Sequence, residues 1–381
     1  MSTLFTGISE LRTVSERGTL NDAAIIAQSG TIAWVGPASE APAADEKVDL
    51  GGRAVLPGWV DSHTHMVFDG DRSAEFEARI SGGSYEAGGI AVTMDATRQA
   101  GTDRLDKLVA DRVAAGRRGG TTTFETKTGY GLNTESEVEA AKVASRHVDD
   151  VTFLGAHLVP PGADAEEYLD EVVGPMLEGV APYVQWIDVF CERGAFNEEQ
   201  SRRVLEAGKK LGLGLRVHGN QLGEGPGVAL AVELGAASVD HVNYLSDEDV
   251  ELLANSDTVA TMLPACDLST REPLAPGRTL LDAGATLAIA SNLNPGTSYT
   301  SSMNYCVTTA VLQQHLSVDE AIHAATTGGA TALRRHNVGN GLDPQGRPAK
   351  GTIVEGAAAD LHVLDAPSAV HLAYRPGMPL S

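Results

Sequence analysis

The chain has 381 residues, of which 42% are hydrophobic and 21% charged, a composition typical of globular proteins that excludes a disordered chain. Its formal net charge of -23 would repel a phosphate backbone, so we expect no nucleic-acid partner. No apolar stretch approaches the length of a membrane span, so we expect no membrane partner. Only three Cys occur, widely spaced, and the N-terminus lacks the pattern of a signal peptide. We therefore expect a cytoplasmic protein.

Both ends of the chain are predicted to be β. Residues 23–27 and 31–35 are apolar runs on either side of a Gln-Ser-Gly turn, which predicts a hairpin. Near the other end, residues 351–354 and 360–364 also have strand character. Isolated hairpins are marginally stable, so we predict that the two ends combine into one small β-sandwich. Two unrelated surface ribbons are the alternative.

Eight short apolar segments, most of them separated by helical stretches, occupy the middle of the chain. They are residues 55–61, 121–125, 151–155, 186–190, 214–217, 238–242, 259–263 and 286–290. This alternation favours an α/β protein with a parallel sheet, and eight strands indicate a closed (β/α)8 TIM-like barrel. The predicted domains are a barrel over 55–345 and a sandwich built from 1–54 and 346–381. An open doubly wound sheet is the alternative, but the Gly-rich phosphate motif expected after its first strand is missing.

Five of the 11 His lie at or just beyond the ends of predicted strands. His63 and His65 follow the first strand and alternate along the backbone, so both point to one side, where they could hold one metal ion. His157, His218 and His241 are associated with the third, fifth and sixth strands. These strand ends share one face of a parallel barrel, the face on which active sites form. Polar strand ends would explain a single His pair, but the convergence of five His favours a metal centre.

Three loops at the same face carry further candidate residues. Arg72, after the first strand, could bind a substrate carboxylate through two parallel hydrogen bonds, although such an Arg is more often a surface ion-pair partner. Tyr130 follows the second strand. The turn that begins at Asn294, after the eighth strand, is expected to expose backbone N–H groups to a ligand, with a plain turn as the alternative.

Together these motifs resemble the amidohydrolase superfamily and, more closely, its imidazolonepropionase family. The resembling segments follow one another along nearly the whole chain; they are residues 55–65, 68–72, 128–132, 153–157, 188–192, 218–221, 294–297 and 371–377. The resemblance implies a hydrolase acting on the C–N bond of a cyclic amide. Its implied reaction converts 4-imidazolone-5-propanoate to N-formimino-L-glutamate in histidine degradation, and its implied assembly is a homodimer.

The resemblance also implies roles for individual residues. One zinc or iron ion would be bound by His63, His65, His218 and the residue at position 292, which is Asn292 here instead of the Asp of the family. His241 would lie near the metal ion and act in catalysis together with Gln221. The residues implied in substrate binding are Arg72, Tyr130, His157, Gln221, Asn294, Gly296 and Thr297. Arg72, Tyr130 and His157 are expected to provide the cationic end that receives the propionate.

Two positions depart from the pattern of the resembled proteins. Asn292 replaces the expected metal-binding Asp, and Gln221 stands where Glu is often found. An amide cannot accept a proton at neutral pH, which shifts proton transfer to His241, whose ordinary pKa lies near neutrality. Three His and a water remain a workable zinc site. We expect a single ion, because residues 186–192 lack the Lys that bridges two metals in relatives.

Because of these two departures, two other functions remain as alternatives. One is another hydrolase of cyclic amides or amidines, or a ring deaminase, although deaminases of this layout use the Glu that Gln221 replaces. The other is a barrel that binds a small acid without catalysis, because Asn292 removes a ligand charge.

Overall fold

The computed structural model describes residues 1–82 and 89–378, so the last three residues of the predicted C-terminal segment lie outside the described residues. The strands are β1 (Ser2–Arg12), β2 (Thr19–Gln28), β3 (Thr31–Pro37), β4 (Glu46–Pro57), β5 (Trp59–Asp61), β6 (Thr121–Lys127), β7 (Asp150–Ala156), β8 (Trp186–Cys191), β9 (Gly214–Gly219), β10 (Ser238–His241), β11 (Val259–Met262), β12 (Leu287–Ile289) and β13 (Leu361–Val363). The helices are α1 (Ser73–Ile80), α2 (Ile90–Ala100), α3 (Thr102–Arg118), α4 (Thr134–Ala144), α5 (Ala165–Glu171), α6 (Leu177–Val180), α7 (Glu198–Lys210), α8 (Gly227–Leu234), α9 (Asp247–Ala254), α10 (Pro264–Thr270), α11 (Gly277–Ala283), α12 (Met303–Gln313), α13 (Val318–His323), α14 (Gly329–Ala332) and α15 (His371–Tyr374).

A five-stranded sheet combines both ends of the chain, in the order β13-β4-β1-β2-β3. The predicted hairpin is present as the antiparallel pair β2 and β3. The predicted strand over 351–354 is wrong: this stretch is irregular, and it is held to the sheet by Ile353 N–H, which donates to Thr13 O at 2.8 Å. The five-stranded sheet has a hydrophobic core of its own, which includes Ile8, Leu11 and Ile25, all buried on the inner face of the sheet.

Eight parallel strands, β5 to β12, form the second sheet in sequence order. The chain after the last strand meets the chain after the first: Asn292 N–H donates to His63 O at 3.0 Å, and His65 N–H donates to Leu293 O at 2.8 Å. Next to this seam, Ser291 Oγ donates to Asp61 Oδ2 at 2.6 Å. The predicted (β/α)8 barrel is therefore confirmed, and each of the eight predicted segments overlaps one of its strands.

The first predicted segment, 55–61, is divided between the two sheets. Residues 55–57 end β4, where they pair with β13, and only Trp59–Asp61 belongs to the barrel as β5. Gly58 lies between the two strands. A Cβ atom at Gly58 would lie 2.2 Å from Thr122 Oγ1, so the close approach of these two segments of the chain requires glycine at position 58.

Helices surround the barrel, and side-chain caps set where several of them begin. Asn197, Ser246 and Ser317 each form a capping box, in which the cap side chain and the side chain three residues later satisfy each other's backbone N–H groups. On helix α7, which begins after the cap residue Asn197, Val204 and Leu205 are buried against the barrel. Among the described residues, no helix combines the length and the apolar character needed to cross a membrane.

Candidate active site

Three histidine side chains meet at the C-terminal end of the barrel. His63 and His65 follow β5, and His218 lies near the end of β9. His65 Nε2 lies 3.3 Å from His63 Nε2 and 3.5 Å from His218 Nε2. Two nitrogens bound to one tetrahedral zinc ion, each at about 2.1 Å, are separated by about 3.4 Å. The spacing of these nitrogens therefore fits one metal ion.

The chemistry of these rings also fits a metal ion. Burial lowers the pKa of His63 and His65 well below the usual range, and neighbouring positive groups act in the same direction. Both rings are therefore neutral at physiological pH, so each can offer a nitrogen lone pair. Neutral imidazole nitrogens are ligands that zinc and iron accept.

Carboxylates behind two of the rings hold them in this orientation. His63 Nδ1 lies 2.7 Å from Asp240 Oδ2, and His218 Nδ1 lies 3.0 Å from Asp188 Oδ2. Burial alone would raise the pKa of both acids. The charge of Arg216 and the hydrogen bond of His63 at Asp240, and the contacts with His218 and Lys127 at Asp188, outweigh burial and hold both pKa values below the usual range. Such outer carboxylates direct the opposite ring nitrogen toward a metal ion.

Lys127 is a component of the site that the sequence reasoning missed. It ends β6 with a fully buried side chain, and its Nζ lies 3.0 Å from Glu125 Oε1, 2.9 Å from Asp188 Oδ2 and 3.7 Å from Asp240 Oδ2. The available signal was a Lys two residues beyond Glu125, the last residue of the predicted second strand, since residues at that spacing share a face if the strand continues.

His241 lies at the end of β10 in a strained backbone conformation. Its φ is 88°, a value rare for residues other than glycine, and strain of this kind is concentrated at functional sites. Its ring centroid lies 5.8 Å from that of His63 and 5.5 Å from that of His218. Burial lowers the pKa of His241 well below its usual range, so its ring is neutral at physiological pH.

Asn292 lies beside the three histidines, at the seam where the barrel closes. Its φ of 50° is one that Asn tolerates, and its side chain is 2% exposed. Its Oδ1 is buried and has no hydrogen-bond partner among the described residues. An unsatisfied buried oxygen is free to approach a cation, so Asn292 stays the predicted fourth ligand.

A narrow cavity of about 40 Å³ opens beside the three histidines. It brings together most of the predicted substrate and catalytic residues; they are Arg72, Tyr130, His157, Gln221, His241, Asn292, Asn294 and Thr297. Gly296 lines the adjoining cavity together with Arg72. A Cβ atom at Gly296 would lie 2.5 Å from Arg72 Cζ, so the guanidinium packs directly on this glycine.

Arg72 is buried and forms an ion pair within the protein. Its Nε and Nη2 donate to the two carboxylate oxygens of Glu75 at 2.8 and 2.6 Å. The commoner role expected for this residue, an ion pair, is therefore present, but inside the cavity wall and not on the surface. A substrate carboxylate would meet a guanidinium that Glu75 already orients.

His157 is neutral in this environment. Its Nδ1 lies 2.8 Å from Gly129 O and donates to it, and its ring stacks on that of His65 with centroids 5.6 Å apart. Burial lowers the pKa of His157 to about 4. The expectation that His157 adds positive charge for the propionate is therefore wrong at neutral pH, and Nε2 is left as a hydrogen-bond acceptor.

Asn294 organises the turn after the eighth barrel strand. Its Oδ1 accepts from the N–H groups of Gly296 and Thr297 at 2.9 and 2.8 Å, and its Nδ2 donates to Asn292 O at 2.7 Å. The expectation that this turn exposes its backbone N–H groups to a ligand is therefore wrong for these two groups. The turn instead holds Asn292 and Thr297 at the cavity.

Gln221 follows β9 on a turn held by a carboxylate. Its N–H and that of Leu222 both donate to Glu192 Oε1. Asn220, the residue before it, has a φ of 56°, which turns the chain back toward the cavity. The Gln221 side chain lines the same cavity as His241, but its amide cannot accept a proton at neutral pH.

Comparisons with known proteins identify the relatives of this chain. No protein-family model matches it. It is 64% identical over 392 residues to the imidazolonepropionase of Arthrobacter sp. (strain FB24), with 100% of this chain and 97% of the relative covered. The imidazolonepropionase of Paenarthrobacter aurescens (strain TC1) is 63% identical, with 100% and 96% covered. The chain belongs to the imidazolonepropionase family. The resemblance seen in the sequence motifs is thereby confirmed.

Solved structures share the fold of this imidazolonepropionase family member at low sequence identity. A zinc-bound adenosine deaminase from Xanthomonas campestris has a TM-score of 0.70 at 19% identity, covering 98% of this chain and 88% of that one. A mutant atrazine chlorohydrolase from Arthrobacter aurescens TC1, complexed with zinc and atraton, has a TM-score of 0.71 at 18% identity, covering 97% and 91%. These likenesses show that the fold is shared over nearly the whole chain.

Proposed function

We propose that this protein hydrolyses 4-imidazolone-5-propanoate to N-formimino-L-glutamate in histidine degradation, with one zinc or iron ion held by His63, His65 and His218 together with Asn292. Family membership supports the reaction. The observation that carries the site is the convergence of three imidazole nitrogens, with His65 Nε2 at 3.3 Å from His63 Nε2 and at 3.5 Å from His218 Nε2. Arg72 in the same cavity supports an acidic substrate.

The reaction adds water to the ring carbonyl carbon. The bond from that carbon to the ring nitrogen then breaks and the ring opens to a single product. The water oxygen ends in the new carboxylate of that product, and the freed nitrogen takes up a proton. A bound zinc or iron ion supplies Lewis acidity and makes water more acidic at neutral pH. The ring nitrogens of the three histidines lie close enough together to hold such an ion.

His241 is the proposed proton carrier. Its ring is neutral, lies beside His63 and His218, and has a buried Nδ1 with no partner in the described part of the chain. A neutral imidazole can take the proton released by the attacking water and pass it to the departing ring nitrogen. Gln221 cannot share this task, so we assign it to orienting the substrate or the water by hydrogen bonds.

The other end of the cavity receives the propionate in this proposal. Arg72 supplies the positive charge, and Glu75 and Gly296 fix the direction of its guanidinium. Tyr130 lies 5.5 Å from His157, ring centre to ring centre, and can donate from its hydroxyl. His157 Nε2 can accept a hydrogen bond from an N–H group of the substrate ring. Asn294 and Thr297 complete the wall.

The setting of the enzyme is also part of the proposal. Cys191, Cys266 and Cys306 are all buried with free thiols, which agrees with a reducing, cytoplasmic location. A homodimer rests only on the resemblance to the family and stays a prediction.

The test combines metal content with turnover. The purified protein is loaded with zinc or with iron, its metal content is measured, and hydrolysis of 4-imidazolone-5-propanoate is followed by the loss of its ultraviolet absorbance. We expect one ion per chain and turnover that a chelator removes and metal restores. Ammonia release from guanine or cytosine without hydrolysis of the imidazolone would overturn the proposal in favour of a deaminase. A metal-loaded protein that binds the substrate without converting it would overturn it in favour of a binding protein.

A further inference from the structure

A cluster of five buried charged side chains lies directly behind the three histidines. Its members are Lys127, Arg216, Glu125, Asp188 and Asp240, and each has a fully buried side chain. Ion pairs buried to this extent are rarely kept for stability alone, because removing five charges from water opposes folding. The cluster lies between the barrel core and the histidines, and this position indicates that it acts on the histidines.

Lys127 is the member that connects two of the histidines. Its Nζ lies 2.9 Å from Asp188 Oδ2 and 3.7 Å from Asp240 Oδ2. Asp188 Oδ2 is also the atom next to His218 Nδ1, and Asp240 Oδ2 is also the atom next to His63 Nδ1.

The barrel architecture explains why one side chain can reach both acids. Lys127, Asp188 and Asp240 belong to β6, β8 and β10, which are the second, fourth and sixth strands of the barrel. Alternate strands of such a barrel direct their side chains inward at the same level. Among the ion pairs of the described residues, Lys127 alone joins these two acids, whereas Arg216 pairs with Asp240.

We infer that Lys127 is a positioning residue for the metal centre. It holds the carboxylates of Asp188 and Asp240 together, and through them it fixes the rings of His218 and His63 with Nε2 directed at the ion. The inference rests on the metal site of the proposed function.

The charge of Lys127 and its positioning role predict opposite changes in metal affinity when Lys127 is removed. The cluster contains two cations and three carboxylates, so it is formally one negative charge in excess. Loss of Lys127 adds to that excess, and long-range electrostatics alone would then strengthen the binding of a cation. Loss of positioning weakens binding instead, by about 10- to 100-fold for a residue that orients ligands in this way. The sign of the change therefore separates the two explanations.

The experiment measures zinc affinity in Lys127→Met by competition with a chromophoric chelator, and it records the visible spectrum of the cobalt-substituted protein. Lys350→Met is the matched control, since Lys350 Nζ also pairs with an acid, Asp360 Oδ2 at 2.6 Å, in the irregular chain near the C-terminus. We expect Lys127→Met to bind zinc about 10- to 100-fold more weakly and to show an altered cobalt spectrum, with Lys350→Met equal to the wild type. Equal or tighter binding by a folded Lys127→Met would overturn the inference.

Two further measurements cover the case in which Lys127→Met does not fold. Lys127→Gln keeps a donor of similar reach but no charge, and it should bind zinc more weakly than the wild type; unchanged affinity counts against the inference. In the metal-free wild type, nitrogen NMR of the rings should show His63 and His218 each protonated only on Nδ1. A mixture of ring tautomers would overturn the inference without any variant. Absence of metal binding by the wild type would overturn the proposed function instead.

Discussion

His362 is expected to make the folded protein sensitive to acid. It lies in β13 with its side chain 2% exposed, its ring centroid is 5.2 Å from that of Trp59, and neither ring nitrogen has a hydrogen-bond partner among the described residues. A Cβ atom at Gly120 would lie 2.5 Å from the ring, so the packing leaves little room for water. Burial lowers the pKa of His362 to about 4, from an ordinary value of 6.5.

The size and sign of the effect follow from proton linkage. Between pH 6.5 and about 4 the unfolded chain holds a proton on His362 that the folded chain does not, so folding is favoured less as the pH falls through this window. The contribution is fully present above pH 6.5. At pH 5 the difference corresponds to about 1.5 pKa units, or about 2 kcal/mol of the free energy of unfolding.

The assay is urea denaturation of the metal-free protein at pH 7.5 and pH 5. His362→Leu should lose about 2 kcal/mol less free energy of unfolding than the wild type between these two pH values. At pH 7.5 the variant should be at least as stable as the wild type, because an apolar side chain replaces two unsatisfied ring nitrogens. His315→Asn, at an exposed position with a φ of 60°, is the control and should follow the wild type. Equal losses in the wild type and His362→Leu would refute the assigned burial of this ring.

Three predictions concern the candidate site. Arg72→Met should raise KM by at least about 30-fold with metal content unchanged, because it removes a buried, charge-assisted contact to the propionate; an unchanged KM would exclude Arg72 from substrate binding. His241→Ala should lower kcat by about 100- to 10,000-fold while zinc is retained, as checked by metal analysis and steady-state rates; an unchanged kcat would assign proton transfer elsewhere. Asn292→Asp should tighten zinc binding at least about tenfold in chelator competition, because a carboxylate adds a ligand charge to three neutral imidazoles; unchanged affinity would mean that residue 292 does not reach the ion.

Much of the fold can be predicted from local pattern. The eight barrel strands are buried along most of their length, so each stands out as a short apolar segment, and the strand ends then indicate where polar residues gather. The convergence of His63, His65 and His218 follows from this arrangement without knowledge of side-chain positions. The division of residues 55–61 between two sheets could not be predicted from local pattern, because it depends on the contact between Gly58 and Thr122.

The parts that could not be predicted depend on partners distant in sequence. Lys127 contacts acids that follow it by 61 and 113 positions, and no local pattern indicates those pairs. The neutral state of His157 depends on the depth of the cavity wall, which composition does not reveal. The turn at Asn294 has the residues of a ligand-binding loop. The Asn294 side chain nevertheless accepts the hydrogen bonds of the backbone N–H groups that the motif would offer to a ligand.

The pairing of β4 with β13 joins two segments that lie far apart in the sequence. Leu361 pairs with Pro57 and Val363 with Val55, so the last residues of β4 lack a partner on this side until a segment much later in the chain has been made. An unpaired strand edge is a template for joining another chain. A polypeptide that stops before residue 361 therefore exposes backbone donors and acceptors of residues 55–57 that β13 otherwise pairs.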